Sequence, residues 1–136
     1  MVIYIMFNNG FQHINSHYKN FRVFEWRAYL GLAVLGFISA INIAYFDYVM
    51  LFIFLITTSL YLAFSFSINN CFDIKSDIKE HKTSKNPVAA GLIKMREAII
   101  VSVSTALVGI FIAYLWLNPV SFYIYILLII LSYLFL

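Results

Sequence analysis

Four long apolar runs dominate the chain, at residues 28–46, 48–72, 98–117 and 120–136, and each is almost free of charge. A bilayer core of about 30 Å needs roughly 20 helical residues, so the first three runs are long enough to cross and the fourth is just long enough. The runs are continuously apolar and lack the alternation of a barrel strand, which argues against sheet. The pattern predicts an all-α, polytopic transmembrane helical bundle of about four spans. The opening, MVIYIMFNNGFQHINSHYKN, lacks a basic leader, a long apolar stretch and a small-residue cleavage site, so it does not read as a signal peptide. Residues 1–20 are read as a polar or interfacial tail of unknown order.

Composition agrees with this class. Apolar residues make up 63% of the chain and charged residues only 11%, against about 25% charged in soluble domains. The basic residues fall in two clusters: Lys19, Arg22 and Arg27 before the first run, and Lys75, Lys79, Lys82, Lys85, Lys94 and Arg96 between the second and third. The connections around Asp47 and Asn118-Pro119 carry none. The positive-inside rule then places the N-terminus and the 73–96 loop in the cytoplasm of a multi-pass protein of the cell membrane. A net charge of +3 held in such loops is no nucleic-acid signature. Cys71 is the single cysteine, so an internal disulfide and a cysteine metal site are excluded, leaving it a small packing residue.

Chemistry concentrates in SINNCFDIKSDIKEHKTSKNPVAAG, residues 67–91. Asn69, Asp73 and Asp77 are spaced i, i+4, i+8, so a helix continuing through them lines all three on one face, with Asn70 close by. Two carboxylates with one or two amide oxygens form a hard-oxygen array of the kind Mg²⁺ prefers when it bridges protein to phosphate. Left unpaired at membrane depth, each aspartate would cost about 2.5–3.5 kcal/mol. Spacing alone fits solvated helix-end charges equally well. Among the other polar residues, Asn86-Pro87 suits a cap with Pro at the first position of a turn. His81 reads as a solvated loop residue. Arg22, Glu25 and Arg27 read as interface anchors, with substrate contact as the alternative. Asn42, Thr57, Thr58, Ser65 and Ser67 read as small polar residues that glue helices together.

The N-N-C-F-D-I-K-S-D of residues 69–77 resembles the N-D-x-x-D-x-x-x-D first motif of the UbiA-type intramembrane prenyltransferases. K-N-P-V-A-A-G, ending at Gly91, resembles the R-P-[IL]-x-[SA]-G that follows it in that family. The resemblance implies that Asn69, Asn70, Asp73 and Asp77 bind Mg²⁺, with Asp73 and Asp77 as the catalytic pair. It further implies that Lys82 and Lys85 contact the diphosphate of a polyprenyl donor. A hydrophobic acceptor would take the prenyl group within the lipid bilayer. Asn70 replaces the family's usual Asp, and Asn86 stands where it usually has Arg. The family has about nine spans and a second aspartate-rich motif, and these 136 residues carry neither. The chain also stops in an apolar run without a polar flank. The expectation is therefore the first part of a longer prenyltransferase. The alternative is a non-catalytic fragment, or a subunit that needs a partner chain to complete the site.

Overall fold

The computed structural model describes the backbone of residues 2–40 and 46–134, with side chains from residue 11 onward. Every regular element among the described residues is helical. In order they are α1 (Val2–Asn20), a 3-10 turn (Val23–Glu25), α2 (Trp26–Ala40), α3 (Tyr48–Phe72), α4 (Ile74–Lys79), a second 3-10 turn (Thr83–Lys85), α5 (Met95–Trp116) and α6 (Pro119–Leu134). Phe11–Ala40, Tyr48–Phe72 and Met95–Trp116 are long and apolar enough to cross a membrane, and Pro119–Leu134 is a shorter apolar helix. The protein is an all-helical integral membrane protein. Asn42 lies outside the described residues.

The two short connections carry their own caps. Asp47 precedes α3, and its side chain accepts from Val49 N at 2.9 Å and Met50 N at 3.2 Å. At the other turn Asn118 accepts from Ser121 N at 2.9 Å, and Pro119 opens α6, where its missing N–H costs nothing.

Helix α3 is the shared wall of the bundle. Tyr29 of α2 meets Phe66 of α3 at 5.8 Å between ring centres, and Phe37 meets Phe54 at 5.5 Å, so the two helices run antiparallel. Helix α6 runs parallel to α3: Tyr125 donates to Thr57 O at 3.2 Å, and Tyr61 and Ser132 share a hydrogen bond at 2.9 Å. Against α3, helix α5 presents Ala98, Ser102, Ala106, Gly109 and Ala113, and these are its buried residues. Lipid tails are as apolar as leucine, so close backbone approach across small residues drives this pairing more than hydrophobic burial does.

Gly109 leaves no room for a side chain. A Cβ there would lie 2.0 Å from Tyr125 Oη and 3.3 Å from Leu60 Cβ. Of the small polar residues inside the runs, Ser67 bonds across helices, whereas Thr57 and Thr58 return their hydroxyls to carbonyls of α3 itself.

The sequence leaves residues 1–20 as a tail of unknown order, but the chain is helical from Val2 to Asn20. The C-terminal end of α1 is docked where α3 ends and α5 begins, with Ser16 and Asn20 buried. No run of apolar residues announces this contact because polar side chains make it. Arg22 then adopts the left-handed region (φ 54°, ψ 40°) and turns the chain into α2. The conformation is uncommon for a non-glycine residue.

Gly109→Ala is expected to destabilise the protein by about 1–3 kcal/mol through overpacking. Adding Tyr125→Phe should restore part of the loss, because the clashing hydroxyl is then gone. Thermal unfolding in detergent would check both variants.

Candidate active site

The motif begins where α3 ends. Asp73 caps α3 and leads directly into α4, with only a one-residue irregularity between the helices. Asp73 N donates to Asn69 O at 2.9 Å and Asp77 N to Asp73 O at 2.8 Å, so the i→i−4 ladder runs on through the motif. Asn69, Asp73 and Asp77 therefore stack on successive turns. Asn69 Nδ2 donates to Asp73 Oδ2 at 2.5 Å.

Asn86 organises the returning loop. It is buried, and its Nδ2 donates to Asn70 O at 2.8 Å and to Asp77 Oδ2 at 2.7 Å. Its Oδ1 accepts from Val88 N at 3.0 Å and Ala89 N at 3.1 Å, capping the turn that Pro87 opens. Gly91 closes the turn at φ +73°, a conformation that L side chains rarely adopt. Cys71, Val88, Ile93 and Ala98 form a small apolar cluster that ties the loop to the ends of α3 and α5. Side-chain hydrogen bonds and this cluster together fix Asn86, and with it one oxygen of Asp77.

Beneath the loop lies a continuous buried polar chain. Asn70 Nδ2 donates to Asn20 O and Oδ1, both at 3.0 Å. Asn20 Nδ2 reaches Ser67 Oγ at 2.5 Å, Ser67 and Ser102 share a bond at 2.6 Å, and Ser102 donates to Ala98 O at 2.7 Å. Each hydroxyl has one proton. The count closes when Ser67 donates to Ser102, which keeps its own proton for Ala98. Burial without partners would cost each of these groups about 1–3 kcal/mol.

Arg22, Asn70, Asp77, Lys82, Lys85 and Asn86 line a cavity of about 240 Å³. The structure thus brings together Asn70, Asp77, Lys82 and Lys85. Asn69 lines a separate, more apolar cavity of about 350 Å³ with Tyr29, Tyr61, Leu62, Ser65, Phe66 and Ser132. Asp73 lines neither of these two cavities. The fold brings Arg22, which the sequence leaves between interface anchor and substrate contact, into this cavity. Arg22 pairs with Glu25, lies 5.1 Å from the Phe66 ring centre and keeps a buried Nε with no partner among the described residues. The hydrogen bond and charge of Glu80 push the Lys82 ammonium above its usual range, with Asp77 adding a smaller effect.

The donor chemistry fits an oxygen-ligated divalent cation. Asp73 and Asp77 each use Oδ2 in the hydrogen bonds described and keep Oδ1 without one among the described residues. Asn69 and Asn70 likewise spend their amide nitrogens and keep their oxygens. Mg²⁺ takes carboxylate and carbonyl oxygens together with water and phosphate.

A helical membrane bundle with carboxylates and cations gathered at one helix end defines the class. Residues 27–135 match the model of the UbiA prenyltransferase family, and the chain belongs to that family. No curated protein and no solved structure matches it.

Asn86→Ala would strip four hydrogen bonds and leave Asn70 O, Val88 N and Ala89 N without their partner. A loss of about 2–4 kcal/mol is expected, together with faster amide exchange across residues 86–91. Hydrogen–deuterium exchange of the purified protein would check it.

Proposed function

We propose that this chain carries the donor-diphosphate site of a Mg²⁺-dependent prenyltransferase, which moves a polyprenyl group from its diphosphate to an aromatic, lipid or isoprenoid acceptor. The observation that carries this reading is the cavity joining Asp77 and Asn70 to Arg22, Lys82 and Lys85, in a chain of this family. Asp77 would hold Mg²⁺ with the Asn70 oxygen beside it in the cavity, and Asp73, one turn earlier on the same helical face, would supply the second carboxylate, whereas Asn69 opens on the neighbouring cavity. The bound ion would neutralise charge on the departing diphosphate. Lys82 and Lys85 donate to the phosphate oxygens, and the Arg22 guanidinium at the cavity wall adds a third positive charge for the same anion. Cleavage of the allylic C–O bond leaves the electron pair on the diphosphate. The acceptor then bonds to the allylic carbon and releases a proton. The bilayer beyond the polar cavity would keep water from the cation.

Within residues 73–96 Glu80 is the one carboxylate besides Asp73 and Asp77, and Glu25 is engaged by Arg22. We assign the remaining acidic ligands to residues outside these 136, either further along the polypeptide or on a partner chain. The basic clusters favour a cytoplasmic motif loop in the cell membrane.

In the full-length enzyme, Asp73→Ala and Asp77→Ala are each expected to abolish Mg²⁺-dependent prenyl transfer. Lys85→Ala should weaken donor binding about 10- to 150-fold, as loss of one charge-assisted contact of about 1.5–3 kcal/mol implies. Prenyl transfer with a radiolabelled polyprenyl diphosphate checks all three, and unimpaired activity in either aspartate variant would sink the assignment. For orientation, a cysteine placed at exposed Ser84 should react with an impermeant thiol reagent only when the cytoplasmic side is open to it. Labelling from the opposite side in intact cells would reverse the topology.

A further inference from the structure

Away from the motif loop, a second cluster of metal-ligating side chains joins α1 to α5. His13 and His17 are one helical turn apart on α1, which stacks their imidazoles on one face. Their rings lie edge to face at 5.0 Å between centres. Across from them stands Glu97 in the first turn of α5, and His13 Nε2 is 3.3 Å from Glu97 Oε2. One ligand atom from each of the three residues lies within 4.8 Å of the others. His17 Nδ1 is shut off from solvent and has no hydrogen-bond partner among the described residues. A His–Glu hydrogen bond alone accounts for His13 and Glu97 but leaves that buried nitrogen unmet.

We propose that His13, His17 and Glu97 form a site for a late first-row divalent cation of the Zn²⁺ type, which pins α1 to the start of α5. Two neutral imidazoles and one carboxylate suit Zn²⁺, whereas Mg²⁺ selects oxygen ligands alone. Tetrahedral ligands at about 2.0–2.2 Å from zinc lie roughly 3.4 Å from one another. The cluster must therefore close by at most about 1.4 Å between any pair, a movement within reach of side-chain torsions, since His13 and Glu97 are both substantially exposed. Three protein ligands leave a fourth position for water. Glu97 offsets one of the two positive charges. The site is separate from the diphosphate cavity and does not rest on the prenyltransferase reading. Its consequence is local: α1 carries Asn20, which holds Asn70, so a cation here clamps the helix that supports the motif from below.

The test is a titration of the purified protein with Zn²⁺ alone, followed by Co²⁺ substitution and absorption spectroscopy. One Zn²⁺ per chain is expected, with a tetrahedral Co²⁺ spectrum and slowed amide exchange over residues 11–20. Loss of an outer-shell partner typically weakens a metal about 10–100-fold, so His13→Ala and Glu97→Gln should each weaken Zn²⁺ by at least about tenfold. His13 is exposed, so its variant keeps the test valid if His17→Ala perturbs folding. Asp73→Asn and Asp77→Asn should bind Zn²⁺ as the unaltered chain does. Uptake no greater than that of the His13→Ala/His17→Ala double variant would overturn the proposal. So would loss of Zn²⁺ in the aspartate variants alone, or a Co²⁺ spectrum of the hydrated octahedral ion.

Discussion

The buried hydrogen-bonded chain from Asn86 through Asn70, Asn20 and Ser67 to Ser102 is the constraint on which the rest of the structure depends. It ties together the returning loop, α3, α1 and α5. In a low-dielectric setting each link is strong when made and costly when missing, so the network holds its elements in a single arrangement. Hydrophobic burial could not do this. Leucine faces against leucine in lipid have little preference for one register over another, whereas an asparagine amide bonded to two oxygens of Asn20 does.

Above this network the bundle is assembled by shape. The small side chains of α5 bring its backbone against α3, and Gly109 admits the Tyr125 hydroxyl, which bonds to Thr57 O and so brings α6 to the same wall. Helix α3 therefore contacts nearly every other element. The motif sits at the end of this most constrained helix, where its residues inherit a rigid position.

The electrostatics of the cavity balance within a short range. Asp77 faces Lys82, Lys85 and Arg22, and Glu80 and Glu25 sit beside two of those cations. An uncompensated set of either sign at a membrane boundary would be costly. Asn86 contributes a fixed amide that orients Asp77 and closes the 87–91 turn, while Arg22 enters the cavity from another part of the chain.

Much of this was legible in the residues themselves. Continuous apolar runs dictate helices that cross a bilayer, because a span must satisfy its own backbone hydrogen bonds. Spacing of i, i+4, i+8 dictates that Asn69, Asp73 and Asp77 stack, since it depends only on helical periodicity. Asp47 and Asn118-Pro119 mark the turns through local backbone chemistry. Long-range packing decided the rest. The helical course and docking of residues 2–20, the entry of Arg22 and the separation of Asn69 from the Asp77 cavity all depend on side chains far apart in sequence. His13, His17 and Glu97 meet for the same reason, the first and last being 84 positions apart in sequence. The i, i+4 histidines were visible along the chain, but their carboxylate partner belongs to another helix, and only the docking of α1 against α5 brings it within reach.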